Sequence, residues 1–211
     1  MLAGKPLIVW TIEAALASRL LDRVVVSTDD EEIAAVSRLA GVEVLMRPEE
    51  LAADDTATLP VLQDVVARLE RDEGYRPDAV MTLQPTSPLR QAQHIDEAIG
   101  LFSADPEADS LVSVVEVPHH FHPLSVMKRG ESGYLENFIE QERVVTRRQE
   151  KAPVFARNGA AIYITRLGSL KGFVFGGRLL PYSMSAEESV DIDEPADLER
   201  AAVLLKARQS A

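Results

Sequence analysis

The chain has 211 residues, 46% of them hydrophobic, enough for one α/β domain with a sizeable core. Its 34 acidic residues outweigh 22 basic ones, and the net charge of −12 argues against nucleic-acid binding, because a polyanion is repelled. With no cysteine there is no disulfide, thiolate nucleophile or Cys-bound zinc, and no apolar run nears the roughly 20 residues that cross a bilayer.

Met1 to Leu16 has no basic flank and no small-residue cleavage site, and it carries Glu13, so it reads as structure rather than a signal peptide. A cytoplasmic protein is the expectation. Within Pro6 to Ser18 the apolar residues Leu7, Ile8, Ile12, Ala15 and Leu16 have helical spacing. The β-branched run Arg23 to Thr28 reads as a buried parallel strand. Thr28-Asp29-Asp30-Glu31 supplies a cap and early acidic residues for a helix through Ala40, which Gly41 closes. Val42 to Leu45 is a short strand, Thr58 to Glu70 an amphipathic helix and Ala79 to Leu83 a further buried strand. His94 to Phe102 is a helix and Ser110 to Val117 a strand. The rhythm breaks from Pro118 to Lys151, a polar stretch that reads as an inserted arm. Ala160 to Thr165 is again a strand, and Pro195 to Ala207 is a closing helix with proline in its first turn. The pattern predicts a single Rossmann-like α/β domain over 1–211, with a mostly parallel sheet flanked by helices.

Ligands of open parallel sheets bind beyond the carboxyl ends of the strands, and three motifs fall there. Leu83-Gln84-Pro85-Thr86-Ser87-Pro88-Leu89-Arg90 follows a strand and offers an amide, two hydroxyls and a guanidinium. Its alternative reading is a proline-stiffened turn with a capping serine. In Ser189-Val190-Asp191-Ile192-Asp193, the two carboxylates of an extended segment share a side and can converge on one hard cation. Equally, Asp193 can cap the last helix. Arg147-Arg148-Gln149 and Arg157-Asn158-Gly159 read either as an anion site or as solvated charge. His119-His120-x-His122 reads as a polar loop rather than a metal cluster, because with His94 it lacks the well-separated pairs of a zinc site.

These residues line up with a family. Gly4 to Ile8, Trp10 to Ala15, Val24 to Ile33, Arg47 to Ala52, Leu83 to Arg90, Asn158-Gly159 before Ile162-Tyr163, and Ser189 to Asp193 follow in one order. Together they resemble the acylneuraminate cytidylyltransferases, almost from end to end. The resemblance implies transfer of CMP from CTP to a sialic-acid-like nonulosonic acid, with Mg²⁺ as cofactor and a homodimer paired through the arm at about 118–151. It implies that Asp191 and Asp193 hold the metal and that Arg47 faces the cytosine. Gln84, Thr86, Ser87 and Asn158 would contact the sugar, Arg148 the sugar or phosphate anions, and Tyr163 would line the sugar pocket. Arg90 either contacts substrate or braces the loop.

Two departures stand out. Ser125 follows His122-Pro123-Leu124 where some relatives carry lysine, and Lys128 is the candidate substitute. The family also begins with an apolar strand and a basic, glycine-containing loop that grips the triphosphate, upstream of what matches Met1. The expectation is therefore that the 211 residues alone have little transferase activity. Two other readings remain: a non-catalytic dimeric relative, or an enzyme for another sugar acid such as Kdo.

Overall fold

The computed structural model describes residues 1–53, 55–139 and 151–209. Along the chain run α1 (Leu7–Leu16), β1 (Val25–Thr28), α2 (Glu31–Leu39), β2 (Glu43–Met46), α3 (Thr58–Glu73) and β3 (Ala79–Thr82). They are followed by α4 (Ala92–Ala104), β4 (Ser110–Glu116), β5 (Met127–Arg129), β6 (Leu135–Asn137), β7 (Phe155–Arg157), β8 (Tyr163–Arg166), β9 (Leu179–Ser183) and α5 (Pro195–Gln209).

The helices stop and start where the sequence has the chemistry for it. Asp30 caps α2 by accepting from the Ile33 N–H at 2.9 Å, with Glu31 and Glu32 in the first turn and Arg38 in the last. Gly74 ends α3 in the left-handed region, φ 66°, and there the Gly74 and Tyr75 N–H groups close onto Glu70 and Leu69 carbonyls. Gln91 and His94 form a reciprocal cap at the start of α4.

β1 and β2 form a parallel pair, while β3, β4, β7, β8 and β9 share a second sheet. The α/β class is as expected, but that second sheet is mixed rather than mostly parallel. β8 runs antiparallel to both β3 and β4, β7 runs antiparallel to β4, and β9 alone is parallel to β4. The reason is the route of the chain: a parallel neighbour needs a crossover helix, whereas the chain after β4 returns antiparallel to it as β7 and β8. Of the stretch 118–151, expected as an arm, the described residues carry the exposed antiparallel hairpin β5–β6.

Period-two alternation splits the core of the second sheet. Leu111, Ile162 and Ile164 face one side, where Ile95, Ala98 and Phe102 of α4 cover them. Val112, Val114 and Tyr163 face the other, against Val174 and Phe175. A third cluster joins Leu2, Leu89 and Val190 to Ala201 and Leu205 of α5. Among the described residues no helix is long and apolar enough to cross a membrane.

Asp96 locks α4 to the end of α1. Its carboxylate accepts from the Ser18 hydroxyl at 2.6 Å and from the Arg19 and Leu20 N–H groups at 3.0 and 3.3 Å. The Ser18 bond, then the backbone donors, hold this carboxyl below its ordinary 3.8. A lowered acid contributes stability that is present above the unfolded value and lost as pH falls through the folded one. Asp96→Asn should therefore be less stable than the parent at neutral pH, with the difference closing below about 3.8. Chemical denaturation across that range reads it, and a difference that stays constant with pH would contradict the assignment.

Candidate active site

Five residues of the returning strand, 158–162, stand between the β7 partner of Val114 and the β8 partner of Val112, so they face Ser113 alone. Ser113 closes the mouth of this bulge: its N–H donates to Ile162 O at 2.8 Å, and its hydroxyl accepts from the Ile162 N–H at 2.9 Å. Bulges re-aim side chains. This one turns Asn158 and Gly159 toward two other segments, the loop after β3 and the segment before α5.

Main-chain and side-chain bonds join the three. The Gln84 N–H donates to Ala160 O at 3.0 Å, and the Ile192 N–H donates to Thr86 O at 2.8 Å. Asn158 Nδ2 donates to Ser189 Oγ at 2.8 Å. Gly159 has φ 69°, and a Cβ there would overlap the Asp191 carboxylate. The polar atoms left over are telling. Ser87 Oγ, Asn158 Oδ1 and Asp191 Oδ1 are buried and have no hydrogen-bond partner among the described residues, in side chains whose parents are 1% (Ser87) and 4% (Asn158) exposed or, for Asp191, half-buried. Buried polar groups are normally paired, so this cluster is built for something more. Gln84 is exposed, and Thr86 is half-buried.

The structure thus gathers Gln84, Thr86, Ser87, Asn158 and Asp191. Val190 and Ile192 pack into the apolar cluster under α5, while Asp191 and Asp193 alternate with them. Asp193 is exposed and makes no side-chain bond to α5 among the described residues; Asp197 in the first turn reaches back instead, accepting from the Asp193 and Glu194 N–H groups at 3.2 and 3.1 Å. Arg90 is 3% exposed, and its guanidinium donates to Ala161 O, Thr11 Oγ1 and Gln84 O. Arg47 stands apart, just past β2, where it donates to Ser27 O at 2.7 Å at the end of β1. Tyr163 is buried on β8 against Phe175, ring centroids 5.0 Å apart. Arg148, with Arg147 and Gln149, lies outside the described residues.

The histidines have structural partners. His94 Nδ1 accepts from the Gln91 N–H, so Nε2 carries the proton toward Glu188 Oε1 at 3.1 Å. His122 is buried and donates to Ala152 O. Among the described residues no group of three or more His, Asp or Glu is placed to bind a metal. Asp191 and Asp193 nonetheless suit Mg²⁺, a hard cation commonly held by one or two carboxylates with phosphate and water completing its shell. The unpartnered Asp191 Oδ1 is the observation that fits it. Arg157, read from the sequence as part of an anion site or as solvated charge, lies 4.5 Å from the Phe175 ring, while sequence reasoning missed Thr11, whose hydroxyl is an acceptor in the site's support. Helical spacing placed Thr11 on α1, but no local signal showed what it faces.

Gly159→Ala should lower stability by about 1–2 kcal/mol from its left-handed backbone alone, with a further cost from displacing Asp191. Denaturant unfolding measures this, and a variant as stable as the parent would show that the Gly159–Asp191 approach is not a constraint.

Comparison with known proteins gives the family of the chain. The family model described as Cytidylyltransferase matches residues 1–206. N-acylneuraminate cytidylyltransferase of Streptococcus agalactiae serotype III is 34% identical over 200 residues, 93% of this chain and 46% of that protein. The chain spans about half the length of the first such relatives it matches. CMP-N,N'-diacetyllegionaminic acid synthase of Legionella pneumophila is 31% identical over 215 aligned positions, covering 100% of this chain and 90% of that protein. In fold, the chain is similar to CMP:2-keto-3-deoxy-manno-octonic acid synthetase solved with CTP, with TM-score 0.72, 18% identity and coverage of 99% and 90%. The chain belongs to the cytidylyltransferase family.

Proposed function

We propose that this protein transfers CMP from CTP to a nonulosonic acid of the sialic-acid type. The observation that carries the reading is the convergence of Gln84, Ser87, Asn158 and Asp191, three of them with unpartnered buried oxygens, within a chain that matches the family over residues 1–206. The names of its relatives, an N-acylneuraminate cytidylyltransferase and a CMP-N,N'-diacetyllegionaminic acid synthase, support the substrate class.

In the reaction, the anomeric hydroxyl oxygen forms a bond to the α-phosphorus and gives up its proton to solvent. The bond from that phosphorus to the bridging oxygen of the β-phosphate breaks, and pyrophosphate leaves. Catalysis of such a step is positioning plus stabilisation of charge on the phosphate oxygens. The exposed Gln84 amide and the Thr86 and Ser87 hydroxyls orient the sugar acid. Asn158 Oδ1 accepts from it. Asp191 and Asp193 would hold Mg²⁺, which when bound neutralises triphosphate charge. Arg47 donates two N–H groups to Ser27 and keeps further donors for the cytosine. Tyr163 and Arg148 complete the sugar side of the reading.

The arm serves a homodimer in this reading. Tyr134, Leu135 and Phe138 of the hairpin are 78, 65 and 62% exposed, a patch that pairing would bury. Sedimentation at micromolar concentration should show a dimer, and a monomer with the arm intact would remove that part.

In the full-length protein, Asp191→Asn or Asp193→Asn should lower turnover by at least about two orders of magnitude, the typical loss of a main electrostatic stabiliser. CTP should be preferred over UTP, and nonulosonic acids over Kdo and hexose 1-phosphates. Near-normal turnover of both variants across a Mg²⁺ titration would reject the metal assignment. A hexose 1-phosphate as best acceptor would reject the substrate class.

A further inference from the structure

Arg90 is the most deeply buried cation among the described residues, in a chain where acidic residues outnumber basic ones 34 to 22. No carboxylate of the described residues lies within ion-pair distance of it. An unpaired buried charge is costly, so its retention calls for a use.

Its bonds show one. Nη1 donates to Ala161 O at 2.6 Å and to Gln84 O at 3.3 Å. Nη2 donates to Thr11 Oγ1 at 2.7 Å and to Gln84 O at 3.4 Å. The Thr11 hydroxyl in turn donates to Gln84 O at 3.4 Å. One planar fork therefore joins three segments remote in sequence: α1, the loop after β3 and the end of the 158–162 bulge. Arginine can do this because its donors are fixed in one plane, whereas the three ammonium donors of lysine radiate from a point. Burial pushes the guanidinium down to about 9, which leaves it charged at neutral pH. Its Nε has no partner, so only the two terminal nitrogens hold the junction.

We infer that Arg90 is a positioning residue, one that keeps the Gln84 loop and the Asn158 bulge in register and does not itself touch substrate. This rests on the proposed CMP transfer, in which Gln84 and Asn158 address the same sugar acid. Arg90 acts through them. Thr11, although on a helix outside the cluster, belongs to the same device.

The test compares Arg90→Lys, Arg90→Met and Thr11→Val in the full-length protein. Two readouts are used: steady-state kinetics with CTP and N-acetylneuraminic acid, and hydrogen exchange of the Gln84 and Ile192 amides in the free protein. A misplacement of about 1 Å can cost on the order of 100-fold, so both Arg90 variants should lose about 10- to 100-fold in kcat, with smaller changes in KM. Thr11→Val should lose in the same direction. The Arg90→Lys, Thr11→Val double variant should be no worse than Arg90→Lys alone, as expected of residues acting as one unit. The two amides should exchange faster in every variant, while amides of α4 keep their protection. Should Arg90→Met not fold, Arg90→Lys and Thr11→Val carry the comparison. Unchanged kcat and unchanged exchange would overturn the inference. Lost activity with unchanged exchange and a neutral Thr11→Val would also overturn it, making Arg90 a substrate contact. A parent protein without transferase activity would count against the proposed function instead, and the exchange arm would still read the role of Arg90.

Discussion

Three segments with no ladder of their own must meet at the carboxyl end of β3, and the bond that closes the circuit is Ile192 N–H to Thr86 O at 2.8 Å. On one side of it the Gln84 loop is fastened to the bulge through Ala160. On the other, the Ser189–Asp193 segment is fastened to the bulge through Asn158 and Ser189. Beneath two of them, Leu89 and Val190 sink into the apolar cluster that α5 covers, while Ala160, Ala161 and Ile162 of the bulge pack into the sheet's own core. Apolar burial thus sets where the loops lie, and a few directional bonds set which atoms face outward. The second contribution is small in energy, about 1 kcal/mol for a typical bond, but it decides the geometry.

The same arrangement explains why polar atoms are left without partners there. Ser87 Oγ, Asn158 Oδ1 and Asp191 Oδ1 are held by a framework whose bonds run through neighbouring atoms, so each can stay unpaired without the fold collapsing around it. A similar brace lies just behind. Glu188 accepts from Ser185 Oγ at 2.7 Å and from His94, and its carboxyl stays below its ordinary value despite burial. That brace ties the chain ahead of Asp191 to the start of α4. A site supported from both sides meets the requirement for preorganised chemistry.

Much of this was legible in the residues. The alternation of β-branched runs with amphipathic stretches located β1 to β4 and α1 to α5, since buried faces impose their period on the sequence. Strand direction was not legible, because an antiparallel β8 shows the same alternation as a parallel one. β7 is three exposed residues, too short for a pattern, and β9 contains Pro181, which ordinarily argues against a strand. Here proline is tolerated because β9 pairs β4 alone and lies at the sheet edge. Gln84 and Asp191 were identified by their motif neighbourhoods. The burial of Arg90 was not, since an arginine after a polar loop is expected in solvent, and the Thr11 hydroxyl with the carbonyls of Gln84 and Ala161 accounts for where it is.

A cavity of about 440 Å³ lies elsewhere, at the root of the arm, lined by Glu116, His119, His120 and Lys151. It competes with the Asp191 cluster as a place for a nucleotide sugar. The most direct measurement is a crystal structure of the full-length protein with CTP and a nonulosonic acid. The account predicts the sugar acid against Gln84 and Asn158, with the α-phosphate next to Asp191. Both ligands lodged in the cavity at the root of the arm, with Asp191 untouched, would contradict it.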